Sequence, residues 1–479
     1  MIEGYIPQEQ RKNILLLTDD IRLPSGVGNV GKELVIHTSH HYNWVNLGAA
    51  VQHPDHGKKI DLSQETNKII GIDDSSVFVI PNNGYGDPQL IRHIIKQEKI
   101  DAIFLITDPR YFDWLFRIEN EIRRKIPIIY LNIWDDYPAP MYNKAFYESC
   151  DTLLGISKQT VNINKLVLGD KAKNKVIEYV PHGLNTEIFK PIKPEMDSYK
   201  EFQEFKKQIF QDKEYDFVLF FNSRNIRRKS IPDTLLAWKY FLDRLPVEQQ
   251  NKVKFILHTD LISDHGTDLE AVHNYLLGSD DTSVVFSTSK LGVHQLNYLY
   301  NLVDAQILLT SNEGWGLSLT EALLTGTPII ANVTGGMQDQ MRFVDENGKW
   351  FTPSAEIPSN HTGKYKTHGK WAFPVFPTNR SIQGSPATPY IWDDRCRPED
   401  AAEQIMNLYN MSKEERQECG LAGLEWAAGE EAGFTSYHMA QRAIKYVDQT
   451  FETFKPRLNY EFINVNEVKE DKLPHKLLY

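Results

Sequence analysis

The chain has 479 residues, of which 41% are hydrophobic and 24% charged, and its formal net charge is −11. This is the composition of a globular protein, and the length predicts two large domains. The negative charge argues against a generally basic surface for nucleic acid, although a local basic face stays open. Three distant cysteines predict neither a disulfide framework nor a zinc site. No segment approaches the ~20 apolar residues needed to span a bilayer and no signal peptide is recognisable, so we expect a cytoplasmic protein.

Apolar strands alternate with amphipathic helices through the first part of the chain. The run NILLLT leads through a glycine-rich turn into a helical pattern. The strand-like runs lie at 13–18, 75–81, 100–107, 126–134, 152–157 and 175–181. Continuous apolar strands separated by helices indicate a parallel sheet that is covered on both faces. Residues 1–190 are therefore predicted to form a Rossmann-like acceptor domain.

A second series of strands follows a polar, charged connection. These runs lie at 217–223, 253–259, 283–288, 305–311 and 327–333. Residues 191–440 are predicted to form a second Rossmann-like domain for the donor, with a Pro-rich insert of little periodicity at 351–392. Residues 441–479 are predicted to be a helix and tail that return to the first domain. Two α/β units in tandem imply a cleft, and ligands of such sheets bind at the carboxyl ends of the strands.

The segment SNEGWGLSLTEALLTGTPIIA, residues 311–331, is an apolar strand that runs through two glycines into a helix. A helix start exposes backbone amides and carries partial positive charge. The amides of Gly316, Leu317 and Ser318 are therefore suited to an anion such as a diphosphate. Without side chains, Gly314 and Gly316 let that anion come close.

Two glutamates lie eight positions apart in the same segment. A carboxylate that accepts hydrogen bonds from vicinal hydroxyls is a usual means of holding a ribose, which suits Glu321. Glu313 is placed to hold hydroxyls of a sugar. The alternative is that Ser318 and Glu321 form a capping box, in which each side chain satisfies a backbone amide of the other residue.

The segment FNSRNIRRKS, residues 221–230, follows a predicted buried strand. Its basic residues form either a solvated turn or a phosphate site, and their place directly after the strand favours the phosphate site. These residues are Arg224, Arg227, Arg228 and Lys229.

Taken together, the motifs resemble those of family-4 retaining glycosyltransferases of GT-B architecture. The spacing of the two glutamates, 313 and 321, carries most of the resemblance. Other segments match the family's pattern at the expected intervals, namely 25–34, 180–191, 221–230, 291–310 and 334–336. The resemblance implies an α/β fold of two Rossmann-like domains whose parallel sheets face a central cleft.

The resemblance also implies roles for particular residues. Glu313, Arg224 and Lys229 are expected to be catalytic, with the two cations on the diphosphate of a nucleotide-sugar and Glu313 facing the transferred sugar. A UDP-sugar is the favoured donor, and neither a metal nor a cofactor is expected. The expected donor-binding residues are Glu321, Gly316, Leu317, Ser318, Gly314, Leu291, Gly26 and Gly28.

The first domain departs from the family's pattern. Where the family often has a histidine at a strand tip, the segment IYLNIWDDYP presents Asp135 and Asp136. Either carboxylate is a candidate to accept a hydrogen bond from an acceptor hydroxyl or to act as a base. The alternative is that both cap the next helix or turn.

The acceptor is the least determined element. DDIRLPSGVGNVGKEL, YLNIWDDYP and GSPATPYIWDDR resemble segments of glycosyltransferases of large tailed phages, some of which modify hydroxymethylated pyrimidines in DNA. DNA is therefore a candidate acceptor, in a host cytoplasm, with the insert as an aromatic lid. Candidate DNA contacts are Arg117, Arg123, Arg124, Lys125, Lys171, Lys173 and Lys175, and candidate lid residues are Trp371, Phe373 and Phe376. The alternatives are a cell-surface glycan or small-molecule acceptor, a sugar-nucleotide epimerase, and a non-catalytic binding module.

Overall fold

The computed structural model describes residues 3–354 and 360–458. The first sheet is built from β1 (Lys12–Asp19), β2 (Tyr42–Ala50), β3 (Ile60–Asp61), β4 (Val77–Asn83), β5 (Ala102–Ile106), β6 (Ile128–Asn132), β7 (Thr152–Gly155) and β8 (Val176–Tyr179). The strand order is β3-β4-β2-β1-β5-β6-β7-β8, where β3 runs antiparallel to β4 and the other neighbours pair in parallel.

Helices cover both faces of this sheet, which explains why its central strands are apolar throughout. Ile14, Leu15 and Leu16 in β1 are completely buried. The helices are α1 (Gly26–Thr38), α2 (Ser63–Ile70), α3 (Pro88–Gln97), α4 (Asp113–Phe116), α5 (Glu119–Ile122), α6 (Lys144–Glu148) and α7 (Lys158–Leu168). Helix α1 begins after Ser25, whose hydroxyl accepts a hydrogen bond from the amide of Gly28 and so caps the helix.

A second sheet, again parallel, follows a connection that contains α8 (Tyr199–Phe210). Its strands are β9 (Phe217–Asn222), β10 (Val253–His258), β11 (Val284–Ser287), β12 (Ala305–Leu308), β13 (Ile329–Asn332) and β14 (Ala372–Val375), in the order β11-β10-β9-β12-β13-β14. The helices around it are α9 (Ile231–Leu242), α10 (Val247–Gln250), α11 (Leu269–Leu277), α12 (Val293–Leu302), α13 (Leu317–Leu324), α14 (Met337–Met341), α15 (Pro398–Tyr409) and α16 (Lys413–Ala428).

The Pro-rich segment 351–392 contains more regular structure than its composition and weak periodicity indicate. Strand β14 lies in it and pairs with β13 as the last strand of the second sheet. Because an edge strand has one unpaired side, it tolerates Pro374. An antiparallel hairpin of β15 (Asn379–Ser385) and β16 (Thr388–Arg395) follows. Many of its residues are exposed, which explains the weak periodicity of the sequence.

The last helix, α17 (Ser436–Thr453), packs against the first sheet. It begins five residues before the expected boundary at 441. The hydroxyl of Ser436 donates to Glu33 at 2.6 Å, and Tyr42 in β2 donates to Asp448 at 2.7 Å. Of the helix and tail expected at 441–479, residues 459–479 lie outside the described residues. In the part of the chain that the structure describes, no helix is both long and apolar enough to cross a membrane.

Candidate active site

A cavity of about 820 Å³ lies between the two sheets, at the carboxyl ends of their strands. Its lining comes from the loops after β1, β5, β6 and β7 on one side and after β9, β10, β11 and β12 on the other. This is where open parallel sheets bind ligands, and the volume is in the range of small-molecule sites. Both domains therefore contribute to one site.

Glu313 lies in the loop after β12 and is almost fully buried. Its Oε2 accepts a hydrogen bond from Nη1 of Arg228 at 2.9 Å and another from Nζ of Lys229. Both cations lie in the turn after β9, the strand next to β12, so adjacent strand ends bring the three side chains together. Glu313 and Lys229 both line the cavity.

The three charges determine one another's ionisation. Burial alone would raise the pKa of Glu313, but the Arg228 and Lys229 charges outweigh burial and hold that pKa to about 2. Burial lowers the pKa of Lys229, and the Glu313 carboxylate opposes that shift. The carboxylate of Glu313 is consequently ionised throughout the physiological pH range.

The arginine that donates a hydrogen bond to Glu313 is Arg228. Arg224, which the sequence pattern pairs with Lys229, lines the cavity with its side chain exposed. Arg228 also donates to the backbone oxygen of Asn312 at 2.7 Å, which fixes the start of the glutamate loop. The basic run showed that cations follow β9, but not which of them turns inward, because that depends on the 3₁₀ turn at 227–229.

The start of α13 faces the cavity. Gly316 precedes the helix with φ of 87°, a conformation that favours glycine, and Gly314, Gly316, Leu317 and Ser318 all line the cavity. The first amides of the helix, those of Leu317 and Ser318, therefore lie at the wall where an anion would bind.

Glu321 lies one turn further into α13. Its Oε2 accepts hydrogen bonds from the hydroxyl of Tyr300 at 2.7 Å and from Nδ2 of Asn222 at 3.2 Å. Burial raises the pKa of Glu321 to about 7, and the two hydrogen bonds limit that rise. The capping-box alternative is wrong, because Gly316 precedes the helix and Ser318 is already inside it. Glu321 lines the cavity.

Two of the expected donor-binding residues are not in the cavity wall. Gly26 lines the cavity, but Gly28 is buried in α1, where its amide is used by Ser25. Leu291 packs against the core of the second domain, while Lys290 beside it lines the cavity. The expected donor-binding role of Gly28 is therefore wrong, and that of Leu291 stays a prediction.

The adjacent aspartates of the first domain have different environments. Asp135 lines the cavity, and its Oδ1 accepts a hydrogen bond from the amide of Gly314 at 2.9 Å. Asp136 is completely buried, and its carboxyl group accepts from Gln159 at 2.7 Å and Thr334 at 2.9 Å. Burial, with the nearby Asp394, raises the pKa of Asp136 well above its usual value. Asp136 joins the two domains, so its expected role in acceptor binding is wrong.

Other polar residues of the cavity were not assigned a role from the sequence. Among them are Asp19, Asp108 and His182. Asp19 ends β1 and Asp108 follows β5, so the carboxyl-end rule applied to every strand would have found both. His182 is nine-tenths buried, which lowers its pKa to about 4 and leaves its imidazole neutral.

The sequence candidates for DNA contacts do not line the cavity. Residues 123–125 directly precede β6 and residues 171–175 directly precede β8, so they lie at the opposite, amino edge of the first sheet. Arg123 is held by Asp151 at 2.6 Å. The lid candidates also lie elsewhere: Trp371 is buried against Trp426, and the other two, Phe373 and Phe376, line a separate cavity at β14 and α15.

Within residues 3–354 and 360–458, no three His, Cys, Asp or Glu side chains form a group that could hold a metal ion.

Comparison with known proteins gives the fold and then the class. Residues 202–357 match the family described as "Glycosyl transferases group 1". Among proteins with curated functions, no sequence matches. The solved structures of Anabaena HepE with UDP and glucose and of Thermosynechococcus elongatus sucrose-phosphate synthase are similar, with TM-scores of 0.61 and 0.62 and identities of 13% and 14%. Each likeness covers 92% of this chain and 100% of the other.

A third similar structure is an Escherichia coli protein bound to UDP-2-fluoro glucose, with a TM-score of 0.60, 11% identity, and 91% and 99% of the two chains covered. These structures define the fold as GT-B, as the sequence predicted. With the matched domain, they define the chain as a glycosyltransferase.

Proposed function

We propose that this glycosyltransferase binds a UDP-sugar against its second domain and transfers the sugar, with retention of configuration, to a hydroxyl of an acceptor held by the first domain. One observation carries the proposal. Glu313 with its partners Arg228 and Lys229, the buried carboxylate of Glu321 and the first residues of α13 all line one cavity.

The diphosphate has a binding surface of fitting charge. Lys229, Arg228 and Arg224 line the same cavity as Leu317 and Ser318. Departure of UDP builds negative charge on phosphate oxygens, and fixed cations and helix-start dipoles stabilise that charge. We propose that these groups suffice without a metal or another cofactor.

The choice of UDP rests on the ribose site and on the similar structures. Glu321 would accept hydrogen bonds from ribose hydroxyls while Tyr300 and Asn222 hold its carboxylate in position. HepE and the E. coli protein are described in complexes with UDP, UDP-glucose or UDP-2-fluoro glucose. We extend that donor class to this chain.

Retention is proposed to occur on one face of the sugar. A double displacement would use Glu313 as a nucleophile, but its carboxylate is committed to two cations. Glu313 would instead orient the sugar and hold Lys229 and Arg228 near the diphosphate. The departing phosphate oxygen then accepts the proton of the attacking hydroxyl, the acceptor oxygen bonds to the anomeric carbon, and UDP leaves with that proton.

We propose that the acceptor is a glycan or small molecule rather than a hydroxymethylpyrimidine in DNA. The basic residues that suggested DNA, apart from Arg117, lie at the far edge of the first sheet. Part of the charge of the whole set is paired, as with Arg123 and Asp151 and with Arg117 and Asp113. A duplex acceptor would need cations around the cavity mouth of the first domain.

The test offers purified protein UDP-, GDP- and ADP-sugars with saccharide acceptors and with hydroxymethylcytosine DNA. Nucleotide release, product mass and the anomeric configuration by NMR are measured. The proposal expects UDP release and a product with the donor's configuration. An inverted product rejects retention, a C2-inverted sugar nucleotide formed without acceptor indicates an epimerase, and no turnover of any sugar nucleotide rejects the function.

A further inference from the structure

Hairpin β15–β16 belongs to the second domain by its attachment. The carboxylate of Asp393 in β16 accepts hydrogen bonds from Ser311 at 2.8 Å and from Asn312 at 2.9 Å. The amide of Asp394 donates to the backbone oxygen of Ser311 at 2.9 Å. Ser311 and Asn312 directly precede Glu313, so the base of the hairpin is bonded to the loop that carries the glutamate cluster.

The preceding residues of β16, 390–392, are docked on the first domain. The amide of Trp392 donates to the backbone oxygen of Tyr137 at 2.7 Å. The hydroxyl of Tyr142 donates to the backbone oxygen of Tyr390 at 3.0 Å, and the two rings meet edge to face. Ile391 and Trp392 pack against the core on that side. The hairpin therefore crosses from one domain to the other beside the cavity.

Two hairpin residues reach the cavity wall, Thr388 and Ile391. Arg110 of the first domain donates to Thr388 Oγ1 at 2.6 Å and to the backbone oxygen of Ala387. Arg110 also lies over the Trp134 ring, 5.8 Å from its centroid. This end of the cavity thus combines an insert of the donor domain with the strand ends of the acceptor domain.

The charges that the first domain contributes to the cavity differ from those of the basic turn at 227–229, although the Asp135 carboxylate also lies 4.0 Å from Arg228. Among the described residues, the charged groups that the first domain contributes to the cavity are three aspartates and one arginine: Asp19, Asp108, Asp135 and Arg110. Nε of Arg110 donates to Asp108 at 2.8 Å, so the cation is already paired. Carboxylates repel phosphate groups and accept hydrogen bonds from hydroxyls, while Trp134 and Ile391 offer apolar surface.

We propose that hairpin β15–β16 forms part of the acceptor site, with Thr388 and Ile391 against the acceptor, and that this acceptor is a neutral molecule rich in hydroxyl groups. The inference rests on the proposed function, because it places the donor against the second domain in the same cavity. It adds a wall that the two Rossmann-like domains do not themselves supply.

The test compares two substitutions on the same hairpin. Ile391→Trp fills the proposed site, and Ile382→Trp is its matched control, because Ile382 is 58% exposed and does not line the cavity. UDP affinity is measured by calorimetry. Transfer from a UDP-sugar is measured with neutral mono- and disaccharides and with hydroxymethylcytosine DNA.

We expect wild-type protein to glycosylate a neutral saccharide. Ile391→Trp should raise the KM for that saccharide at least about tenfold while the Kd for UDP changes less than about twofold. Ile382→Trp should leave both unchanged. If Ile391→Trp does not fold, judged by circular dichroism, Ile391→Ala replaces it and should raise the same KM by several-fold.

Contrary results separate this inference from the proposed function. Absence of UDP binding by wild-type protein rejects the proposed function and the inference with it. UDP binding with an unchanged acceptor KM in the Ile391 variant rejects the hairpin's role alone. Donor turnover with transfer only to DNA, or to no saccharide offered, rejects the acceptor class.

Discussion

The donor and acceptor ends of the cavity are built in different ways. Most of the donor end comes from one contiguous segment, 311–331, and the basic turn of the neighbouring strand. The acceptor end is assembled from the tips of β1, β5 and β6 with a hairpin that follows about 250 residues later. A contiguous motif makes a site readable from sequence, whereas a site formed by distant segments needs the fold.

The largest effect is expected in the glutamate cluster of the donor end. Glu313→Gln and Lys229→Ala each remove one charge from a buried group of three, and each should lower kcat by roughly 100-fold or more. The measurement is steady-state nucleotide release. Glu399→Gln, at an exposed glutamate of α15, is the control and should keep the wild-type rate. Near-normal rates in both cluster variants would reject the assignment.

The hairpin's attachment should matter for stability more than for chemistry. Asp394 is completely buried, where it accepts from Thr334 at 3.0 Å and Asn360 at 2.7 Å and pairs with Arg380 at 2.7 Å. Asp394→Ala should lower the free energy of unfolding by about 3 kcal/mol, because it leaves those donors unsatisfied.

Urea unfolding measures this effect, with Asp280→Ala at an exposed position as the control. A loss no larger than that of the control would show that the hairpin is not anchored as described.

The pH dependence of donor binding should reveal the ribose site. Burial holds the pKa of Glu321 at about 7, so the carboxylate that accepts ribose hydroxyls is lost as the pH falls below that value. The Kd for UDP-glucose, whose diphosphate does not titrate in this range, should rise about tenfold between pH 8 and pH 6. Glu321→Gln should bind more weakly with a flat profile. A flat profile in the wild-type protein would contradict the ribose role.

The smallest effect is expected on stability, at Asp136, which joins the two domains. Asp136 has a pKa raised well above that of an unfolded aspartate, so its contribution to stability is complete below the unfolded pKa and is lost as the pH rises toward the folded pKa. Asp136→Asn removes this dependence. Relative to wild type, the variant should therefore be more stable at pH 6 than at pH 5 by on the order of 1 kcal/mol, as measured by urea unfolding at both pH values. An equal difference at both values would contradict a protonated Asp136.

The sequence predicted the donor end of the cavity better than the acceptor end. The alternation of strands and helices was sufficient for two parallel sheets, and the glutamate spacing located Glu313 and Glu321. The sequence did not show that Asp135 lines the cavity while Asp136 is buried, because the burial of Asp136 depends on its contacts with Thr334 and Gln159. The sequence did not predict the hairpin either, because its exposed strands and prolines hide the alternation of apolar and polar residues that a half-buried strand shows.

The sequence also did not predict which side chains of the basic turn point into the cavity. Arg224, Arg228 and Lys229 all carry cationic side chains, so the sequence does not distinguish them. In the structure the turn at 227–229 points Arg228 and Lys229 toward Glu313. Composition likewise made Gly28 a glycine-loop residue, although its amide is used to begin α1.

A crystal structure of the protein with UDP tests the donor site most directly. We predict that the diphosphate lies within hydrogen-bonding distance of the Leu317 and Ser318 amides and of Lys229, with the ribose on Glu321. A nucleotide bound elsewhere, or in the cavity with Lys229 and Arg228 turned away from its phosphates, would contradict this prediction.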